Sequence, residues 1–501
     1  MGQLTAYQIL HDRFHHKGIM GDISAILMWD SATTLKSTGA RGRGDQQGTL
    51  SLMRHRLISD PDMPNLLAAA AADNTLSGWE KANVREMTRV YQESTIVDPL
   101  LTKSIIEQGQ ICEMAWRQAR ADNDFASLVP QWEKMFSLVR EKAAMRAQHH
   151  KCRPYEGLRS EDDSGLTVDE FTRLFQDLDQ FVTDFIPLAT DAQASQGAPL
   201  PCNHQDFSVE KQQALGVRII QDLGFDWSQG RLDETTHPFC IPSMNDIRLT
   251  TRYKTTDYST GLMAILHECG HGLYEQNLPT DWRYQPIGQA VGMGVHESQA
   301  LFTEMQVCRS RAFYEYVAPL ICEAFGVSGP SYSAENLHRH SLRVNPGFIR
   351  VDADEVTYPA HVLLRYKIEK ALIDDALPVK DIPGLWNQYM DTYLGLTPPT
   401  DTMGCLQDIH WNEGFVGYFP NYTIGAMIAA QLFEAMTHET GDVSNCIARG
   451  DFKAVSQWTK NNIHKHGSYY GPQELIAKAT GKRLSIDAYK KHLTKRYLND
   501  H

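Results

Sequence analysis

Long apolar runs are missing from this 501-residue chain. Nothing in it approaches the roughly 20 consecutive apolar residues that cross a bilayer, which excludes a helical membrane span. Met1 to Phe14 is polar and amphipathic and lacks the basic-then-apolar order of a secretory signal, so the expected location is the cytoplasm. The nine cysteines, scattered from Cys112 to Cys446, include no CxxC pair. That spacing excludes a zinc ribbon and a disulfide framework and leaves reduced thiols as the expectation. Basic charge is also in deficit: 48 Lys and Arg stand against 61 Asp and Glu, a net −13. Such a surface does not fit nucleic acid, and an anionic substrate group would need a dedicated cation. There is no internal repeat or low-complexity tract, and strand patterns are nearly absent.

What is present is helical periodicity. Hydrophobic content of 42% and charged content of 22% are those of an ordinary soluble globular protein. Tyr7, Leu10 and Phe14 mark a first helix; Gly18 to Gly21 and Asp60-Pro61 read as turns, with Trp29-Asp30 between helices. Ala68 to Ala72 favours helix, and Asp98-Pro99 reads as a cap followed by a residue suited to the first helical position. Phe171, Leu174, Phe175, Leu178, Phe181, Val182 and Phe185 keep helical spacing behind a Thr167/Glu170 capping box, predicting a core helix. The composition of Pro187 to Phe207 predicts a surface loop or a connection between lobes rather than a linker. Residues 225–256 lose the helical period, and in Asp246-Ile247-Arg248-Leu249-Thr250 polar and apolar residues alternate as on a strand. An extended segment there could accommodate a peptide alongside its backbone, or could simply form a small hairpin.

One stretch carries chemistry. Asp257 to Gln276 has an apolar stripe of Leu262, Ile265, Leu266, Cys269 and Leu273, with Asp257 and Ser259 as capping groups. Beside the stripe, His267 and His271 are one helical turn apart and project the same way, the geometry with which two imidazoles grip one metal ion. His-Glu-x-x-His on a helix is a zinc-peptidase pattern, with Glu268 placed to deprotonate water. A second helix, Gly288 to about Arg309, offers a third ligand from His296-Glu297; adjacent helical residues point about 100° apart, so only one of the two can face the metal. Three protein ligands leave a position open for catalysis. His410 and Tyr422, in a stretch rich in Gly, Pro and aromatics, have the chemistry to stabilise an oxyanion.

These elements resemble the carboxypeptidase Taq family of zinc metallocarboxypeptidases over most of the chain. The resemblance is carried by His237-Pro238-Phe239, Asp246-x-Arg248-x-Thr250, His267-Glu268-x-x-His271, His296-Glu297-Ser298-Gln299, Ile349-Arg350-x-x-Ala353-Asp354 and Gly404-x-x-Gln407-Asp408-x-His410-Trp411, in that order. It implies a mainly α fold, one large helical body with two lobes around a deep catalytic groove and a small strand region before the zinc helix, so that residues 1–501 form a single catalytic domain. It implies one zinc ion per chain, with cobalt possible, bound by His267, His271 and Glu297, and His296 as a supporting neighbour. The implied activity is removal of single residues from peptide C-termini with broad specificity, with a homodimer as the usual assembly. Partners are then peptides with a free C-terminus, and neither nucleic acid nor membrane.

Within that resemblance Arg350 is the candidate cation for the substrate carboxylate, since a guanidinium binds carboxylate through two parallel hydrogen bonds. The competing role is pairing with Asp352 or Asp354. His237, Arg248 and Asp246 are candidate groove residues. Met28-Trp29-Asp30 departs from the family's His-Trp-Asp. The alternatives are a helical zinc oligopeptidase or aminopeptidase, and a dimetal carboxylate protein using Glu268 with His271 and Glu335 with His338.

Overall fold

The computed structural model describes residues 4–159, 164–202 and 206–499. It is mainly α, with one small three-stranded sheet among the described residues. No helix there is long and apolar enough to cross a membrane. The chain divides into two compact units, each assembled from three separate segments: Met1–Ser94, Pro199–Ser341 and Ile428–Leu484 form the first, and Thr95–Ala198, Leu342–Met427 and Ser485–His501 the second.

The first unit begins with the helix Ala6–Thr33, entered through a capping box of Thr5 and Gln8. Tyr7, Leu10 and Phe14 pack with Ile58, Met63, Leu67, Ala70, Val84 and Met87 into one apolar cluster. The turn expected at Gly18 to Gly21 does not form; the helix runs through it, and Trp29-Asp30 lies in its last turns rather than between helices. Gly18 serves another purpose. A Cβ placed on it would lie 2.7 Å from Tyr284 Cβ and 2.8 Å from Tyr284 Cα, so the missing side chain is what lets the 284 backbone lie against the helix.

The strand region expected over residues 225–256 folds as β1 (Gly230–Glu234), β2 (Cys240–Ile241) and β3 (Ile247–Thr251), in the order β1-β3-β2. β3 pairs in parallel with β1 and antiparallel with β2. It is therefore the central strand, and the expected place for a peptide beside its backbone is already taken by the protein's own chain. Ile247 and Leu249 are buried, as the alternation predicts; Thr250 and Thr251 are buried as well.

The sheet leads into the helix Tyr258–Gln276, whose Asp257 side chain accepts from Ser259 N–H. The following helix starts at Met293, later than expected, because Pro286–Gly288 forms a separate 3-10 turn, and it widens at its end into a π-helical turn, Phe302–Val307. The two helices touch at Gly270. A Cβ there would overlap the Gln299 carbonyl oxygen and Ala300 Cα, so glycine is what allows this crossing.

In the second unit the helix Val168–Ser195 has the predicted Thr167/Glu170 capping box and buries Phe171, Leu174, Phe175, Leu178, Val182 and Phe185; Phe181 is only half-buried. It continues past Pro187, where a loop was expected. Proline costs the hydrogen bond to the Thr183 carbonyl, and Thr183 is exposed, so water can take its place. Of the expected 187–207 loop, residues 203–205 lie outside the described residues. Trp411 packs edge-on between Trp132 and Trp386, at ring separations of 5.6 and 6.1 Å. This aromatic cluster backs the segment that carries His410.

Gly18 and Gly42 both sit inside helices, but only Gly18 is crowded; nothing lies within 4 Å of a Cβ at Gly42. Gly42→Ala should therefore stabilise the chain by up to about 1 kcal/mol through helix propensity. Gly18→Ala should destabilise it by about 1–3 kcal/mol through overpacking. Urea midpoints of the two variants check this, and equal shifts of the same sign would refute the close-approach account.

Candidate metal centre and carboxylate-binding residues

His267 and His271 stand on successive turns of the Tyr258–Gln276 helix, and the Gly270 crossing brings Glu297 back onto them from the next helix. His267 Nε2 lies 3.9 Å from Glu297 Oε1 and His271 Nε2 lies 3.8 Å from Glu297 Oε2. The donor atoms of the three all fall within 4.8 Å of one another, and among the described residues this is the group of His, Cys, Asp and Glu close enough to share an ion. Bonds of about 2.0–2.1 Å in a tetrahedron put ligand atoms about 3.3 Å apart, so a small inward shift closes the set around zinc. Two imidazoles and a carboxylate are a donor set that zinc accepts.

A further carboxylate orients this set. Glu304, in the π-helical turn, bonds His267 Nδ1 at 3.0 Å, and Arg309 Nη2 donates to its other oxygen at 3.0 Å. That leaves His267 Nε2, the atom near Glu297, as the nitrogen that could take an ion. Burial opposes a charge on His267, yet the Glu304 hydrogen bond and the charges of Glu297 and Glu268 outweigh it and push its pKa up to about 10. An environment that holds a proton so firmly is one that favours a cation. His271 goes the other way: burial, with His296 and His267 beside it, lowers it well below the usual range, so it is the neutral imidazole that a metal requires. His296 is turned from the triad. Its Nε2 meets Glu275 at 2.9 Å, and its ring stacks on His271 at 4.4 Å. Glu268 is buried, and that burial pushes its carboxyl up to about 7.

The second unit gathers the other candidates. Arg350 is buried, and its Nε and Nη2 donate to Asp408 Oδ1 at 3.1 and 2.9 Å while Nη1 donates to Tyr358 Oη at 2.5 Å. Its partners are thus not Asp352 or Asp354; Asp354 instead accepts the backbone N–H groups of Asn345, Val356 and Thr357. Arg365, fully buried, bonds the other Asp408 oxygen and Gln407. Burial works against the Asp408 charge, but Arg365 and Arg350 hold its carboxyl well below the ordinary range. Two guanidiniums on one carboxylate leave a net positive charge. Of the five N–H groups of Arg350 these bonds use three, leaving one on Nη1 and one on Nη2 for a carboxylate.

His410 Nε2 lies 3.5 Å from Tyr422 Oη, and its buried Nδ1 makes no hydrogen bond among the described residues. Burial, with Arg350 and Arg365 nearby, lowers its pKa to about 4, so it is neutral at pH 7. The Tyr422 ring lies 5.2 Å from the Arg350 guanidinium.

The strand residues occupy different settings. Asp246 and Arg248 hold each other at 2.6 Å, and the Arg248 guanidinium lies 4.2 Å from the Trp29 ring. His237 is exposed between β1 and β2. Glu335 and His338, on the helix Ala334–Ser341, do not join the metal-ligand group, which removes the support for a dimetal site. Sequence reasoning missed Glu304 and Arg365. Glu304 lies seven residues, two helical turns, beyond Glu297, on the same face, and a metal-binding histidine needs a partner on its other nitrogen. Arg365 stands two turns beyond Tyr358 on one helix and carries no comparable signal.

A family model described as carboxypeptidase Taq (M32) metallopeptidase matches residues 9–497. Carboxypeptidase 1 of Bacillus subtilis (strain 168) is 34% identical over 478 residues, 95% of this chain and 94% of its own. Among solved structures, Trypanosoma cruzi metallocarboxypeptidase 1 superposes with a TM-score of 0.96 at 36% identity, over 98% of this chain and 99% of its own. An M32 carboxypeptidase from Deinococcus radiodurans R1 gives 0.92 at 33%, over 98% of each chain.

Glu304→Gln keeps the side chain's shape but removes the charge that faces His267. Zinc affinity, measured by competition with a chromogenic chelator, should fall about 10–100-fold. Unchanged affinity would mean that Glu304 only braces Arg309.

Proposed function

The chain belongs to the carboxypeptidase Taq (M32) metallopeptidase family, and from that premise we propose that it is a zinc-dependent carboxypeptidase removing single residues from the free C-terminus of peptides, with broad specificity. The observation that carries the proposal is the convergence of His267, His271 and Glu297, with donor atoms within 4.8 Å, beside the buried Glu268. One divalent ion, zinc or cobalt, held by these three would supply Lewis-acid polarisation of the scissile carbonyl and acidify water.

The protein's own groups do the rest. Glu268 takes a proton from the attacking water as the new C–O bond forms, and returns it to the amine as the C–N bond breaks. His410 and the Tyr422 hydroxyl donate hydrogen bonds to the oxyanion of the tetrahedral intermediate. Because His410 is neutral, it does so as a ring N–H without bringing a charge of its own. Arg350, locked by Asp408 and Tyr358, holds the substrate's terminal carboxylate with its two remaining N–H groups. His237, Asp246 and Arg248 line the path of the peptide. Residues 1–501 act as one catalytic domain, consistent with a family match that runs from residue 9 to 497. The enzyme works in the cytoplasm as a homodimer on free peptides, binding neither nucleic acid nor membrane.

Time-resolved mass spectrometry of a short peptide mixture with the zinc-loaded protein should show ladders shortened from the C-terminus. C-terminally amidated peptides should be poor substrates. Arg350→Ala should lower kcat/KM on free-acid peptides about 30–1,000-fold with zinc still bound, and Glu268→Gln should lower turnover to about 1% of the wild-type rate or less. Internal fragments, as from an oligopeptidase, loss from the N-terminus, as from an aminopeptidase, or equal rates on amidated peptides would overturn the reading.

A further inference from the structure

Glu369 lies on the helix Tyr358–Asp374 of the second unit and is fully buried, yet it takes no part in the chemistry above. Three donors converge on its carboxylate. Trp411 Nε1 reaches Oε1 at 2.8 Å, while the Gly417 N–H and the Tyr155 hydroxyl reach Oε2 at 3.0 and 3.1 Å. All three are neutral. A buried carboxylate is costly, and a Leu or Met of similar size would fill the space more cheaply; what only a carboxylate offers is acceptance on both oxygens without a donor of its own.

Two of the donors belong to the turn between His410 and Tyr422. Trp411 follows His410 directly, and Gly417 closes the turn six residues later. Phe415 N–H bonds the His410 carbonyl at 3.0 Å, so the turn is tied at its base. Gly417 has φ +91°, and a Cβ on it would lie 3.0 Å from Arg159 N, which fixes that end against the backbone. The other end is fixed by Trp411, packed edge-on between Trp132 and Trp386. Glu369 bridges the two ends.

We propose that Glu369 is a positioning residue for peptide hydrolysis: by clamping both ends of the 410–417 turn it sets where His410 and Tyr422 present their hydrogen-bond donors. The inference rests on the reading of those two residues as oxyanion donors. Burial pushes the Glu369 carboxyl up to about 7, while the three hydrogen bonds and the charge of Arg365, four residues earlier on the same helix, favour its ionised form. Glutamine cannot replace it. Its amide has one acceptor oxygen and one donor nitrogen, so either the Trp411 indole or the Gly417 and Tyr155 pair would face an N–H.

The test compares kcat and KM of the zinc-loaded wild type, Glu369→Gln, His410→Ala, Tyr422→Phe and the corresponding doubles on one free-acid peptide, with zinc content and melting temperature measured for each. Glu369→Gln should lower kcat about 10–100-fold, with KM within about threefold of wild type and zinc content unchanged, because the misplaced donors act only in the transition state. Added to His410→Ala or Tyr422→Phe it should cost far less than it does alone. If His410→Ala and Tyr422→Phe both leave kcat unchanged, the oxyanion reading fails and this inference with it. If they lower kcat but Glu369→Gln does not, or its loss is fully additive with theirs, the inference alone is overturned and Glu369 is only a fold-stabilising group. Should Glu369→Gln not fold, Trp411→Phe removes the indole N–H alone. It should then lower kcat about 3–10-fold at constant KM, and an unchanged kcat would likewise overturn the inference.

Discussion

The close crossing at Gly270 is the constraint on which the candidate metal centre depends. An i,i+4 pair of histidines supplies two ligands from one helix, but a third must arrive from elsewhere, at a distance set by how closely two helices can approach. At Gly270 the backbone of residues 299–300 comes so near that any side chain would collide with it. The carboxylate of Glu297 is thereby delivered 3.8–3.9 Å from both imidazoles. The π-helical turn that follows, Phe302–Val307, brings Glu304 to the far nitrogen of His267.

Buried charge in this protein is arranged around particular atoms. Asp408 accepts from two arginines, Glu304 bridges His267 and Arg309, and Glu355 collects His492, Arg496 and Tyr497 near the C-terminus. Breaking one partner from such a set strands the remainder in a low dielectric, which is why these groups hold geometry more firmly than apolar packing would. In a chain of net charge −13 the Arg350–Asp408–Arg365 group is notable for its sign. One carboxylate between two guanidiniums leaves an excess cation indoors, where an anionic ligand gains most from it.

Much of this was legible in the sequence, for reasons that can be located. His267, Glu268 and His271 are readable because the helical period alone puts the two histidines on one face. The core helix from Val168 was readable because its apolar stripe and its capping box agree. Where the reading failed, the cause was usually a residue with two uses. Gly18 reads as a turn but provides room for the Tyr284 backbone; Pro187 reads as a break but costs one hydrogen bond on a solvated face. Arg350 could be named as a cation but not paired, because Asp408 lies 58 residues away along the chain and only the fold joins them. Asp246 and Arg248 are put on one face by the strand period of two, but their pairing with each other at 2.6 Å is seen only in the fold. Glu369 carries no local signal at all, since its three partners come from residues 155, 411 and 417.

His267 and His410 show how little the residue type decides by itself. Both are imidazoles taken largely out of water, and burial opposes a charge on each. Around His267 the neighbours are Glu304, Glu297 and Glu268, and positive charge is retained; around His410 the guanidiniums of Arg350 and Arg365 add to burial, and Asp408 does not offset them. The first environment selects for a cation at the Nε2 position, which is what a metal site must do. The second keeps a ring N–H neutral beside a cationic group, which is what the proposed role of His410 as an oxyanion donor beside Arg350 requires. A lysine at position 410 would bring the charge but would have to be desolvated beside Arg350, and an asparagine would donate from a shorter arm. Histidine held neutral by its surroundings satisfies both the charge and the reach.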